Sequence, residues 1–349
     1  MHIQRINSVN NQQNFKGIFD PNIMVTGSSG YIGSHVIKNL VQEGYNCIIC
    51  CRNRAKKEYL ENLIKQINRT KSDKSLCSFT DIDFTDRTAT AKLIKETSPI
   101  DAVIHLAGST YNAESLQNPR KYYENNVLGS INLANSLLDN NIDSIVYLST
   151  SSTYGKTEEA LVKESSQQNP QTPYARTKFI TEQIFQDYSI QGLKTTILRL
   201  FNVAGASTNN DLDIGRNFIT VLLNFVKNDK IFSLMGHDYP TKDGTCVKDF
   251  VHVEDVSSAI EKALTSLLST QKGNIYNVGS GIGTSLGEVL GKTEGITKKK
   301  VQFRLLPRLE TESPEQIADI SRIRKELDWN PQKSIEDILG SCWKWIINH

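Results

Sequence analysis

The strand-like run Ile23-Met24-Val25-Thr26 passes directly into Gly27-Ser28-Ser29-Gly30-Tyr31-Ile32-Gly33, and a helical pattern follows from Tyr31 to Glu43 before Gly44. No other stretch restricts the possible folds as much. The first glycine permits a tight turn, the second lets a pyrophosphate approach the backbone, and the third lets the helix pack closely. The helix N-terminus offers unpaired N–H groups and the positive end of its dipole. A merely structural glycine turn is the alternative. The strand before the loop and the helix after it favour a bound dinucleotide.

The pattern continues as an alternation. Asn46–Cys51, Ser78–Asp83, Ala102–Leu106, Ser144–Ser149 and Thr195–Leu200 read as strands. Helices are expected over 53–68, 87–96, 122–140 and 173–186. Such alternation implies a parallel sheet with helices on both faces, which binds ligands at the C-terminal ends of its strands. After Phe201 the pattern loosens. Val253–Ser266 and Asn274–Val278 read as one more helix and strand returning to the sheet. The expected organisation is therefore discontinuous. Residues 1–20 form a polar extension, 21–201 with about 251–280 the dinucleotide domain, and about 202–250 with 281–349 a smaller mixed α/β domain.

Tyr174 and Lys178, in PYARTK, carry the chemistry. Four residues apart on a helix, their side chains share one face. An ammonium beside a phenol favours phenolate, and a phenolate beside a nicotinamide can take a hydroxyl proton while hydride leaves the same carbon. A surface tyrosine and lysine would give the same letters; the glycine loop upstream favours the catalytic reading.

Bulk properties narrow the remaining classes. The chain has 349 residues, 38% hydrophobic and 22% charged, with a formal charge of +2. Two domains are expected, with a large core. No basic stripe interleaved with aromatics points to nucleic acid, and Lys298-Lys299-Lys300 reads as a solvated loop. No apolar run reaches the length of a membrane span and the N-terminus lacks a signal core, so a cytoplasmic protein with no membrane partner is expected. The six cysteines lack metal-ligand spacing with histidine, and reduced thiols without metal are expected.

The residues after the second strand address the cofactor's 2′ position. A carboxylate there holds the ribose hydroxyl of NAD. Here the residues are Cys51, Arg52, Asn53 and Arg54. Two guanidiniums can bind a 2′-phosphate, so NADP is favoured over NAD. Solvated loop arginines are the alternative.

VTGSSGYIGSH, VIHLAG, YYENNVLGS, PYARTK, LFNVAGA and YPTKDGTCVKDFVHVEDV together resemble the extended short-chain dehydrogenase/reductases, and within them the nucleotide-sugar 4-epimerases of the UDP-glucose type. The resemblance runs from about residue 22 to 346. It implies a Rossmann-type doubly wound sheet, a smaller substrate domain, a nucleotide-diphosphate sugar as substrate, and a homodimer joined through helices at about 115–140 and 173–187. Leu133, Leu137, Phe179 and Ile184 are the expected outward faces of those helices.

The resemblance also distributes roles. Tyr174 becomes the proton relay, Lys178 the ribose ligand and Thr150 the hydroxyl that meets the sugar. Gly27, Ser29, Gly30, Tyr31, Ile32 and Gly33 hold the pyrophosphate. Ile82 and Asp83 flank the adenine. Leu106, Ala107, Gly108, Asn126 and Phe201 also meet the cofactor. Thr150, Ser151, Ser152, Asn202, Asn217, Lys248, Arg308 and Glu312 meet the substrate, with Lys248 standing where the family has a diphosphate-binding arginine.

Departures are Cys51 for aspartate, Thr110 for lysine, Leu309 for a second diphosphate arginine, and Gln316 at a position that often gates sugar size. Ser151 and Ser152 occupy the place of the Asp-Glu pair of the sister 4,6-dehydratases. A hydroxyl is a poor acid or base near neutrality, which argues against dehydration. The expected reaction is 4-epimerisation through a 4-keto intermediate. An NADPH-dependent 4-keto-sugar reductase is the alternative, and a catalytically silent scaffold the remaining class.

Overall fold

The computed structural model describes residues 21–71, 74–208 and 211–349; the polar extension 1–20 lies outside them. The chain divides into two compact units. The first runs to Ser149 and adds Thr172–Leu198 and Ile260–Ile275; the second comprises Thr150–Gln171, Arg199–Ala259 and Tyr276–His349.

The first unit is organised by a parallel sheet. Its early elements are β1 (Asn22–Thr26), α1 (Tyr31–Glu43), β2 (Asn46–Cys50), α2 (Arg54–Arg69), β3 (Cys77–Thr80), α3 (Arg87–Thr97) and β4 (Ala102–His105). There follow α4 (Gly129–Asp139), β5 (Ser144–Thr150), α5 (Pro173–Asp187), β7 (Lys194–Leu200) and β11 (Ile275–Val278), with the short β6 (Leu161–Val162) belonging to another sheet. The seven strands lie in the order β11-β7-β5-β4-β1-β2-β3. Strand β1 pairs in parallel with both β2 and β4, so the order reverses there. The crevice at such a reversal is where doubly wound sheets take ligands. The expected fold class is therefore the one present.

Burial explains why these segments become strands. Ile23, Met24, Val25, Ala102, Val103 and Ile104 are fully buried, as a sheet covered on both faces requires. One face packs Met24, Val103, Ile145 and Tyr147 against Ile94, Leu133, Ala134, Leu137 and Phe185. Leu133 and Leu137 were expected to face a second subunit. They are instead 0% exposed within this core, because the apolar stripe of α4 turns toward the sheet, and Ile184 packs on the same cluster. The expected helix 122–140 is also not one uniform α-helix. Tyr123–Leu128 is π-helical and the α-helix begins at Gly129. An extra residue in a turn is often found at functional sites.

The second unit gathers β8 (Asn202–Ala204), α6 (Phe218–Lys227), β9 (Phe232–Met235), β10 (Val247–His252), β12 (Gly283–Ser285), α8 (Leu286–Thr297), β13 (Phe303–Leu306), β14 (Glu315–Ala318) and α9 (Ile335–Asn348), with α7 (Val253–Thr270) leading out of β10. Strand β10 is its spine. It pairs with β12 on one side, β14 on the other, and β8 near its C-terminal end. Residues 150–171, which read as part of the dinucleotide domain, pack here because β6 pairs with β14. The core includes Ile219, Leu222, Leu223, Val289, Ile338, Leu339 and Cys342. No helix among the described residues is long and apolar enough to cross a membrane.

Candidate active site

In the first unit, Gly27 adopts φ +66°, and a Cβ there would lie 2.7 Å from the Ala107 backbone nitrogen. A Cβ on Gly33 would lie 2.2 Å from the Gly27 carbonyl oxygen. Helix α1 thus abuts its own loop, and that loop abuts the segment after β4. Thr26 Oγ1 fastens the second contact by accepting from Leu106 N at 3.2 Å and Ala107 N at 3.1 Å. The N-cap of α1 is Gly30, with no side chain capping it and no acidic residue in the first turn. Those N–H groups are the ones a pyrophosphate needs. The backbone proximity and the uncapped helix fit a dinucleotide.

Beside this loop, Ser28 Oγ donates to the Cys50 carbonyl at 2.7 Å, and Lys56 Nζ donates to the Ser29 carbonyl at 3.1 Å. Cys51 is buried and its thiol donates to the Asn53 carbonyl at 3.4 Å. Arg52 Nη1 lies 3.3 Å from Asp83 Oδ2, both side chains being well exposed at 66% and 57%. Asp83 also accepts from Thr85 N and Oγ1, and these bonds, with Arg52 after them, hold its carboxyl below the usual range. Arg54 opens α2, whose N-cap is Asn53.

Tyr174 sits in the first turn of α5, behind Pro173 and the Thr172 cap, which accepts from Ala175 N at 3.2 Å. It is 8% exposed, and Tyr122 meets it edge-on at 6.4 Å. Lys178, one turn on, is buried, and its Nζ donates to the Leu148 carbonyl at 2.6 Å. Burial pulls the Lys178 pKa down to about 8, with Glu182 opposing. Asn126 is buried on the π-helical turn. Its amide accepts from Ser109 N at 2.7 Å and donates to the Ser109 carbonyl and to Thr177 Oγ1. It therefore ties the loop after β4 to α5. A Cβ on Gly108 would lie 2.9 Å from its Oδ1.

The second unit holds the other expected residues. Thr150 ends β5, caps the short turn Ser151–Thr153 by accepting from Ser152 N at 3.2 Å, and lies 3.2 Å from Ser152 Oγ. Phe201 is buried and its N–H donates to the Val278 carbonyl at 2.9 Å. Asn202, on β8, donates to the Asp249 carbonyl at 2.8 Å. Asn217 is the N-cap of α6, in a reciprocal capping box with Thr220. Lys248, on β10, is ion-paired to Glu312. Across the β10–β14 ladder its register partner is Gln316, whose amide donates to the Gly155 carbonyl at 3.1 Å. Arg308 lies 3.8 Å from Asp238 at the surface.

Residues 23–279 match the model of the NAD dependent epimerase/dehydratase family. The chain belongs to that family. Among its relatives is UDP-glucose 4-epimerase of Lactobacillus helveticus, 33% identical, with 94% of this chain and 97% of the relative aligned. The Bacillus subtilis UDP-glucose 4-epimerase is 32% identical over 93% of this chain and 96% of its own length. Solved structures agree. UDP-glucose 4-epimerase from Stenotrophomonas maltophila, with bound NAD and formylated UDP-arabinopyranose, superposes with a TM-score of 0.83 at 32% identity, covering 93% of this chain and 97% of that one. The Bifidobacterium longum enzyme, in complex with NAD+ and UDP, gives 0.81 at 26% identity, covering 93% and 98%.

Within the matched range Tyr174 and Lys178 lie one turn apart on α5, and Ser151 and Ser152 follow Thr150. Sequence reasoning passed over Tyr122 and His105 in the first unit and Asp249 in the second. The Tyr122 hydroxyl lies 2.7 Å from the Tyr111 carbonyl oxygen and 2.9 Å from Glu114 Oε2, and its ring meets Tyr174. His105 lies 2.8 Å from Thr26 Oγ1 and 2.9 Å from Ser130 Oγ. Asp249 is buried beside Lys248. The strand motif VIHLAG could have exposed His105; nothing in the letters marks Asp249.

Proposed function

We propose that this chain interconverts C4 epimers of a UDP-hexose. The observation that carries the reading is the buried Lys178, held at the Leu148 carbonyl one turn beyond Tyr174 on α5. The relatives' activity supports it. When bound, the dinucleotide supplies a reversible hydride acceptor for C4. Tyr174 as phenolate takes the O4 proton as that carbon becomes a carbonyl, and returns it when the carbon is reduced on its other face. The Lys178 ammonium favours the phenolate. The Thr150 hydroxyl hydrogen-bonds O4 and carries the proton. Lys248 anchors the diphosphate, with Asn202, Asn217, Glu312 and Arg308 around the nucleotide, so that binding energy comes from the nucleotide diphosphate and the sugar is left free to turn.

Purified protein should interconvert UDP-glucose and UDP-galactose with no dinucleotide added, since proton and hydride both return. Turnover only with added NADPH and a 4-keto sugar would identify the reductase instead. Absence of both activities would reject the reading.

The finer proposal is that NADP is preferred to NAD. Cys51 offers no carboxylate to repel a 2′-phosphate, and the exposed Arg52–Asp83 pair is weak competition for Arg52. The NAD in related structures stands against it. Changing Arg52 and Arg54 to Ala should weaken NADP+ binding by at least about tenfold, the scale of lost charge-assisted hydrogen bonds, and leave NAD+ binding within about twofold. Calorimetric titration checks this. Equal losses, or native protein that carries only NAD, would overturn the preference.

We also propose a homodimer through the helical segments 115–140 and 173–187. With Leu133 and Leu137 in the core, the exposed apolar side chains there are Leu116, Tyr123 and Leu128. Light scattering at a single 39.2 kDa mass across micromolar concentrations would reject it.

A further inference from the structure

A lysine that must stay charged is poorly placed in a protein core, and Lys178 is only 4% exposed. The Leu148 carbonyl is a neutral oxygen partner at 2.6 Å. Glu182 helps from the next turn, but its carboxylate also accepts from the Ser149 hydroxyl. A further neighbour is an aromatic face. Lys178 Nζ lies 4.6 Å from the centroid of the Tyr147 ring, which β5 carries one residue before Leu148.

That ring is fixed from two sides. His105 stacks on it at 5.8 Å with 26° between planes, and Phe185 meets it edge-on at 5.1 Å and 90°. His105 is neutral. Burial first, and the Lys178 charge second, push its pKa down to about 3. Ser130 Oγ donates to the Asn126 carbonyl, so it accepts from His105 Nε2–H, which leaves Nδ1 to accept from Thr26. The imidazole therefore adds no positive charge beside the ammonium. The titratable groups around Lys178 are Tyr147 on β5, His105 on β4, and Tyr174 and Glu182 on its own helix.

We propose that Tyr147 is a positioning residue for Lys178: the π face of its ring holds the ammonium in place and in its charged form beneath Tyr174. A cation over an aromatic face within about 6 Å is attracted by the ring quadrupole, and more strongly when water is excluded. The hydroxyl is not needed for this, and the ring is. The site's consequence for turnover rests on the epimerase reading above; the protonation of Lys178 does not.

The test uses the full-length protein with its native cofactor. Tyr147→Phe keeps the ring, and Tyr147→Leu fills the space without a quadrupole. Phenylalanine bearing two and then three ring fluorines at position 147 weakens the quadrupole at nearly constant shape. Lys178 Nζ is titrated by lysine side-chain NMR, assigned against Lys178→Arg, and kcat and KM are followed against pH.

Tyr147→Phe should titrate with the wild type. Tyr147→Leu should lower the Lys178 pKa by about one unit, with the fluorinated variants graded between. The alkaline fall in kcat should move down by the same amount, KM staying within about twofold. If the fluorinated variants titrate with the wild type, or kcat falls equally at every pH with no displaced limb, the proposal is overturned. Should Tyr147→Leu fail to fold, the fluorinated series decides alone. A wild type inactive on nucleotide sugars would reject the epimerase reading while the Nζ titration still decides this one.

Discussion

Tyr174→Phe should lower kcat for 4-epimerisation by at least about 100-fold, the scale of a lost acid–base group. The expected loss is chemical rather than structural. Tyr174 is 8% exposed and its ring meets Tyr122 edge-on at 6.4 Å, a contact that phenylalanine retains. Pro173 and the Thr172 cap fix the first turn of α5 through backbone geometry, which the substitution does not touch. Cofactor affinity should therefore stay within about twofold, and thermal midpoints should match.

The pH dependence follows from Lys178. Its pKa lies near about 8 because burial disfavours the ammonium. As pH rises through that value the lysine loses its proton, and the positive charge favouring phenolate at Tyr174 disappears. Turnover in the wild type should fall on the alkaline side of about pH 8. Steady-state kinetics from pH 6 to 9.5, with cofactor release after denaturation as the control, checks both results. Near-normal turnover by Tyr174→Phe would remove the tyrosine from the mechanism.

How much of this was legible in the sequence depended on whether the requirement was local. The loop at 27–33 was, because a turn at φ +66° and a helix on which a Gly33 Cβ would lie 2.2 Å from the Gly27 carbonyl oxygen demand glycine at fixed positions. The strands were legible because burial on both faces leaves uninterrupted apolar runs. The direction of α4 was not. An apolar stripe at helical spacing is the same whether it meets a sheet or a second subunit, and Leu133 and Leu137 meet the sheet. The π-helical turn was equally hidden, since Tyr123–Leu128 reads as ordinary helix. Asn126 and Asn217 show a further limit. A match to a family motif places a side chain near a ligand, but the fold also uses these amides for a loop tie and a helix cap. Tyr147 and His105 act through partners dozens of residues away, and spacing along one strand or helix carries no trace of them.

Asp249 is the extreme case of a long-range requirement, and replacing it should produce the largest loss of stability in the second unit. It is 0% exposed in the middle of β10. Its Oδ1 accepts from Ser280 N at 2.6 Å and Ser280 Oγ at 2.7 Å. Its Oδ2 accepts from Gly281 N at 2.9 Å and Ala318 N at 3.1 Å. One carboxylate thus joins β10 to the turn after β11 and to the end of β14. A Cβ on Gly279 would lie 2.6 Å from Oδ2, so the turn comes as close as the carboxylate allows.

Asp249→Ala would bury three backbone N–H donors without an acceptor, at about 1–3 kcal/mol for each that water does not reach, while the Ser280 hydroxyl can turn to the Ile282 carbonyl. A loss of about 4 kcal/mol is expected, well beyond the usual effect of one substitution. Asp249→Asn should be nearly as harmful. An amide keeps one accepting oxygen and turns N–H groups toward two of the donors. The functional consequence follows from position. Lys248 precedes Asp249, and the Asp249 carbonyl holds the Asn202 amide at 2.8 Å. Both variants should bind UDP at least about tenfold more weakly while leaving dinucleotide binding within about twofold where they remain folded. Urea unfolding midpoints and calorimetric titration with UDP measure the two effects. Wild-type midpoints in both variants would show that the four bonds carry no net stability. Wild-type UDP affinity in a destabilised variant would show that β10 holds Lys248 and the Asn202 amide in place without the buried carboxylate.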